Sequence, residues 1–154
     1  MIADSAKIGT DRSALIIEDA LDMRMIVFDM LRTLGFSEIA EAGSREEAVK
    51  LVANRTRGYD LIVVDYRLPD GDGVTTINSI RANLPAGTEP PEILIITWHS
   101  EEVYVRTAQE LNVRTFLAKP ISLNQLKEKV TYLLAMRAQR PGSIRSARQA
   151  TPIS

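Results

Sequence analysis

The sequence predicts an α/β protein, with five parallel strands in one sheet and helices packed on both faces. Three observations predict this class. The runs Ala14–Ile17, Leu61–Val64 and Ile93–Ile96 are continuously apolar rather than alternating, as expected of strands buried on both faces. Stretches of helical periodicity separate the strands in strict alternation, the pattern of a parallel sheet with crossover helices. The strands end on polar residues and turn formers, which puts candidate chemistry along one sheet edge.

The elements follow in order. Residues 1–12 are polar and aperiodic and read as a flexible leader. Ala14–Ile17 is the first strand and runs into Glu18-Asp19. Met23, Val27, Met30, Leu31 and Leu34 mark a helix over Leu21–Leu34, closed by Gly35. Glu38–Ala42 mixes apolar and polar residues, as an edge strand does. Ser44-Arg45-Glu46-Glu47 is a capping box for a helix that turns Ala48, Leu51 and Val52 inward. The central strand Leu61–Asp65 leads into the turn-rich Leu68-Pro69-Asp70-Gly71-Asp72-Gly73. Val74, Ile77, Ile80 and Leu84 mark a third helix, and Ile93–Ile96 the fourth strand, ending on Thr97-Trp98-His99-Ser100. A fourth helix spans Glu101–Leu111, with Asn112 as its left-handed cap. Val113–Ala118 is the fifth strand, ending on Lys119-Pro120. Ser122 and Gln125 cap a last helix with Leu123, Leu126, Val130, Leu133 and Leu134 inward. The domain is expected over residues 13–138, with a disordered basic tail over 139–154. From Arg137 onward there are four arginines (Arg137, Arg140, Arg145, Arg148) and no acidic residue.

Composition narrows the function classes. The chain has 154 residues, enough for one domain with a full core. Its 20 acidic and 19 basic residues nearly cancel, so bulk charge does not point to nucleic acid or membrane. Four spread tail arginines supply little specificity for nucleic acid. There is no cysteine and one histidine, which excludes disulfides, thiolate metal sites and multi-histidine sites. No apolar stretch approaches the roughly 20 residues of a membrane span. Met1–Lys7 lacks an apolar signal core, so a cytoplasmic location is expected.

In a parallel sheet, Glu18, Asp19, Asp65, Thr97 and Lys119 all lie at one edge. Three clustered carboxylates are unfavourable without a cation, and oxygen-only ligands suit Mg²⁺. Lys119 adds a fixed positive charge and Thr97 a hydroxyl donor. Such a site would stabilise a phosphoryl group and its transfer onto a carboxylate, making aspartyl phosphate. Taken singly, each residue has an ordinary alternative. Asp65 could start a turn, Glu18-Asp19 could be the first-turn acids of a helix, and Thr97 and Lys119 could simply end strands.

As a set, these motifs resemble the response-regulator receiver domain of two-component signalling. The motifs are Glu18-Asp19, Asp65 with Leu68-Pro69 and Gly73 behind it, Thr97, and Lys119-Pro120. The resemblance covers roughly residues 12–138 and implies a flavodoxin-like (βα)5 fold with sheet order 2-1-3-4-5. It implies that Asp65 accepts a phosphoryl group from the phosphohistidine of a sensor histidine kinase or a histidine phosphotransfer protein. Glu18, Asp19, Asp65 and the Arg67 backbone carbonyl would hold Mg²⁺, and Thr97 and Lys119 would bind the phosphoryl oxygens. The Lys119-Pro120 bond would be cis. Thr97 and Phe116 would form a switch that alters the face of the fourth helix, fifth strand and fifth helix. That face, with Tyr104, Arg106 and Gln109 exposed, would meet a downstream protein or a second copy.

The sequence departs from the family where Trp98 replaces the usual small residue after the switch threonine. An indole there would shield Asp65 and lengthen the life of the phosphoryl group. Arg67 and His99 flank the path of the attacking water. The tail is too short for a helix-turn-helix module, so the sequence reads as a stand-alone receiver that signals by protein binding or relay. It is expected to assist its own phosphorylation rather than act as an enzyme on separate substrates. Two other readings remain at this point. One is a pseudo-receiver that binds or dimerises without phosphate. The other is a phosphatase of the haloacid dehalogenase class, which needs an acid two residues after the nucleophile, where Arg67 stands.

Overall fold

The computed structural model describes residues 7–140. One sheet contains β1 (Ser13–Ile17), β2 (Glu38–Ala42), β3 (Leu61–Asp65), β4 (Glu92–Thr97) and β5 (Phe116–Ala118). Its order is β2-β1-β3-β4-β5, with every pairing parallel. Helices α1 (Leu21–Thr33), α2 (Arg45–Ala53), α3 (Gly73–Ala82), α4 (Ser100–Leu111) and α5 (Leu123–Gln139) connect or follow the strands. This is the expected fold and strand order.

The sheet explains why the inner strands lack alternation. Leu15, Ile17, Ile62, Val64, Ile93 and Ile95 point to one face and pack with residues such as Ala48, Val52, Ile77, Ile80 and Val103. Ala14, Ile16, Leu61, Val63, Leu94 and Ile96 point to the other, against Val27, Leu31, Val130 and Leu134. Successive side chains alternate across a strand, so a sheet with two buried faces needs apolar residues at every position. β2 lies at the edge and is only partly buried, as its mixed composition predicts.

Most boundaries agree with the sequence reading. Gly35 has φ +98° after α1, and Asn112 is left-handed at φ 57° after α4. Ser44 and Ser122 accept hydrogen bonds from Glu47 N and Gln125 N. Glu47 returns its bond to Gly43 N rather than to the cap residue itself.

Three expectations are corrected. The fifth strand is shorter than Val113–Ala118: only Phe116–Ala118 pairs with β4, because Val113 instead donates back to Thr107 at the end of α4. Residues 7–12 of the expected leader form a turn tied to α1, with Gly9 N donating to Leu34 O and Gly9 packed against the Phe36 ring. Arg137 and Arg140 do not belong to a loose tail. They form ion pairs at the sheet edge opposite the carboxylates, Arg137 with Asp60, Glu89 and Glu92 and Arg140 with Glu92. Arg145 and Arg148 lie outside the described residues.

The turn after β3 is also more ordered than its composition suggests. Arg67–Leu68 and Gly71–Asp72 form a small antiparallel hairpin. Its tip, Asp70, accepts from Arg45 N at 2.8 Å and Glu46 N at 3.0 Å. With Ser44, it satisfies the first three N–H groups of α2. Burial pushes the Asp70 carboxyl up, but the two N–H donors outweigh it and hold the group below its usual range. Asp70→Ala is therefore expected to destabilise the fold by about 1 kcal/mol at neutral pH. Because the native pKa is depressed, the difference from wild type should vanish in acid, as Asp70 protonates. Urea unfolding of both proteins at neutral and acidic pH checks this.

Candidate phosphoacceptor site

The edge at the carboxyl ends of the strands gathers all five candidate residues. Glu18 and Asp19 follow β1, Asp65 ends β3, Thr97 ends β4, and Lys119 follows β5. Glu18 and Asp19 are not first-turn acids of α1: that helix starts at Leu21, and its first-turn acid is Asp22. Glu18 is held instead by its neighbours in the chain. Ala20 N donates to Glu18 Oε2 at 3.3 Å, and Arg24 donates to Glu18 O at 2.8 Å. Arg24 also pairs with Glu41. The sequence reading missed Arg24 because nothing local distinguishes it from a solvated helix arginine.

Carboxylate oxygens of Glu18, Asp19 and Asp65 lie within 4.8 Å of one another. Lys119 Nζ contacts Glu18 Oε1 at 2.9 Å and Asp65 Oδ2 at 3.1 Å. Three carboxylates against one ammonium leave an excess of negative charge. Its sign appears on Glu18, which is pushed up to about 7 by burial first and then by Asp65, with Lys119 opposing. Burial pulls the Lys119 ammonium down, but its bonds to Glu18 and Asp65 prevail and raise it. An all-oxygen donor set with unbalanced negative charge fits a hard divalent cation.

The remaining groups surround Asp65. Arg67 N donates to Asp65 Oδ1 at 3.3 Å. Thr97 is buried, and its Oγ1 accepts from His99 N at 3.1 Å, which leaves its own proton to donate. Lys119 N donates to Thr97 O at 2.8 Å, tying the two strand ends together. The Lys119-Pro120 bond is cis. Trp98 is 63% exposed, yet its ring centroid lies 5.7 Å from Lys119 Nζ, within cation–π range. His99 is exposed and precedes α4 without capping it through its side chain.

Phe116 is half-buried against the core, with its ring centroid 5.0 Å from that of Tyr104. Arg106 and Gln109 are exposed, as expected. Arg106 is also anchored, reaching Asp72 at 3.4 Å and Glu110 at 3.2 Å. Asp72 in turn caps α3 through Thr75 N. The hairpin thus joins the residue beside Asp65 to α2, α3 and α4. No helix among the described residues is long and apolar enough to cross a membrane.

Known proteins share this family and fold. The family model for the response regulator receiver domain matches residues 14–131. A probable chemotaxis protein CheY from Rhizobium etli is 28% identical over 113 residues, covering 73% of this chain and 84% of that protein. The transcriptional regulatory protein PdtaR of Mycobacterium tuberculosis is 31% identical over 121 residues, covering 79% of this chain but only 56% of that protein. The receiver domain of the Arabidopsis thaliana histidine kinase CKI1, complexed with Mg²⁺ and BeF3⁻, superimposes with a TM-score of 0.72 at 23% identity. That alignment covers 86% of this chain and 97% of that domain. Matched by its family model over most of its length and by its fold and strand order, this chain belongs to the response-regulator receiver domain family.

Proposed function

We infer that Asp65 is a phosphoacceptor and that the domain signals through its phosphorylated state. The observation that carries this reading is the contact of Lys119 Nζ with both Asp65 and Glu18 inside a cluster of three carboxylates. A buried ammonium aimed at one carboxylate, among oxygen donors enough for a divalent ion, suits stabilisation of transferring phosphoryl oxygens. In the proposed step, an Asp65 carboxylate oxygen attacks phosphorus as the P–N bond of a donor phosphohistidine breaks. The released imidazole takes its proton from water. Lys119 and the Thr97 hydroxyl meet the charge on the phosphoryl oxygens. Glu18, Asp19, Asp65 and the Arg67 carbonyl would hold Mg²⁺, which supplies further neutralisation of that charge.

The donor is a histidine kinase or a histidine phosphotransfer protein, and the phosphorylated state is read by a downstream protein at the face of α4, β5 and α5. Phe116, packed on Tyr104 and lying in β5, the strand that Lys119 follows, would couple that face to Thr97. The domain assists its own phosphorylation and is not an enzyme for separate substrates. The pseudo-receiver reading is disfavoured because all five residues are present and converge.

Intact-mass analysis after treatment with acetyl phosphate and Mg²⁺ tests the function. Wild type is expected to gain one phosphoryl group and Asp65→Asn none. Trp98 fluorescence should respond saturably to beryllofluoride only with Mg²⁺ present and Asp65 intact. No mass gain and no fluorescence change would favour the pseudo-receiver.

Trp98 supports a second expectation. Its ring centroid lies 5.7 Å from Lys119 Nζ, where the indole would restrict water at the phosphoryl position. Trp98→Ala should hydrolyse its aspartyl phosphate several-fold faster than wild type, as followed by loss of the phosphorylated mass with time. Equal lifetimes would show that the indole plays no part.

A further inference from the structure

A groove of about 650 Å³ lies at the opposite ends of the strands from Asp65, between α5, the start of β4 and the segment leading into β5. Its walls include Pro91, Ile93, Val113, Leu133, Tyr132 and Met136. Tyr132 and Met136 are 57% and 50% exposed and stand one turn apart on α5. Exposed apolar residues scattered singly are ordinary. Two together beside a groove of mixed apolar and basic lining mark a contact surface, where aromatic residues, Met and Arg are enriched.

The charge at the rim has one sign. Arg81, Arg114 and Arg140 line the groove against a single acid, Glu92. The Glu92 carboxylate is already engaged by Arg137 and Arg140. Arg81 donates to the Leu111 carbonyl, and among the described residues neither Arg81 nor Arg114 pairs with a carboxylate. Burial pulls the Arg81 guanidinium below its ordinary range, which an incoming carboxylate would reverse. The chain outside the described residues on this side, residues 141–154, contains two arginines and no acid. Its charge does not complement the groove.

We propose that this groove docks an acidic segment of a separate protein that inserts an aliphatic or aromatic side chain between Tyr132, Met136 and Val113 while its carboxylates meet Arg81 and Arg114. The six-residue strand β4 separates the groove from the phosphoacceptor edge by about 20 Å. The surface is therefore spatially distinct from the phosphoacceptor edge, and its lining does not depend on the reading of that site.

Selection from a displayed library of random short peptides on the full chain tests the proposal, with Arg114→Glu/Met136→Asp as the counter-selection target. Both positions are exposed, so the double variant is expected to fold, and circular dichroism checks it. Enriched peptides should combine Asp or Glu with Leu, Ile, Phe or Trp and should shift the backbone amides of Val113, Arg114, Thr115, Tyr132 and Met136. Arg114→Glu should weaken the best peptide at least about tenfold, and Asp65→Asn should leave it unchanged. A selection that returns no peptides, or peptides without acidic residues, overturns the proposal. So does affinity unaffected by Arg114→Glu. Self-association abolished by Arg114→Glu would assign the groove to a second copy. Movement of the Ile144 or Ile153 amides in the peptide-free variant would assign it to the chain's own tail. Either result would overturn the proposal of a separate partner.

Discussion

Arg137→Met is expected to lower the free energy of unfolding by about 3–5 kcal/mol. The Arg137 side chain is only 7% exposed and pairs with Asp60 at 3.4 Å, Glu89 at 3.3 Å and Glu92 at 3.4 Å. It also donates to the Pro90 carbonyl. Asp60 accepts from Ser13 N at the start of β1, and Glu92 begins β4. One guanidinium from the last turns of α5 therefore holds the amino-terminal ends of the central strands together. Glu89 Oε1 is already buried without a partner, and when Arg137 is lost Arg140 remains as a cationic partner for Glu92. Methionine keeps the aliphatic bulk but leaves buried Glu92 and the partly buried Asp60 and Glu89 facing one another, and removing one member of a buried ionic group costs far more than the group contributes. Urea denaturation measures the change, and adding Glu92→Gln to Arg137→Met should recover part of it. A loss below about 1 kcal/mol would place the cage among solvated surface pairs.

The second large effect concerns pH. Without a divalent cation, stability should fall by about 3 kcal/mol as pH rises from below 5 to above 7. Glu18 is pushed up to about 7 in the folded protein from an ordinary value of 4.5. Between these values the folded state binds a proton that the unfolded state has released, so stability declines with rising pH. The sign is opposite to that of Asp70 and Asp72, whose lowered values add stability as pH rises through the acid range. Unfolding in chelator from mildly acidic to mildly alkaline pH separates the two. Asp65→Asn removes a carboxylate that raises Glu18 and should flatten the decline. Mg²⁺ should restore stability at the upper end by mass action on the folded state. An identical slope in wild type and Asp65→Asn would show that the two carboxylates are not coupled.

Much of this fold is written locally. The apolar runs at Leu61–Val64 and Ile93–Ile96 identify strands buried on both faces, and the spacing of Val27, Leu31 and Leu34 identifies one face of a helix. Ser44, Ser122, Gly35 and Asn112 mark helix ends because their chemistry acts within one turn of the chain. The site was legible for the same reason. Parallel strands point their carboxyl ends to one edge, so a polar residue after each strand is placed before any coordinate is known.

What the sequence did not disclose depends on which distant ends meet. Arg137 looked like the start of a basic tail, since its partners Asp60, Glu89 and Glu92 lie 45–77 positions earlier in the chain and meet it only once the sheet is assembled. Asp70 looked like a turn former, but the fold sets it on the amino terminus of α2, 25 residues earlier. The fifth strand looked six residues long because Val113-Arg114-Thr115 has strand-like composition. The left-handed turn at Asn112 and the bond from Val113 to Thr107 delay its pairing with β4 until Phe116. The alternation, the buried strands and the five residues at the carboxyl edge follow from residue order, because periodicity and capping are short-range. The ionic cage, the hairpin's anchorage and the exposed basic groove arise only on packing, because burial and charge pairing come from the contacts that packing creates.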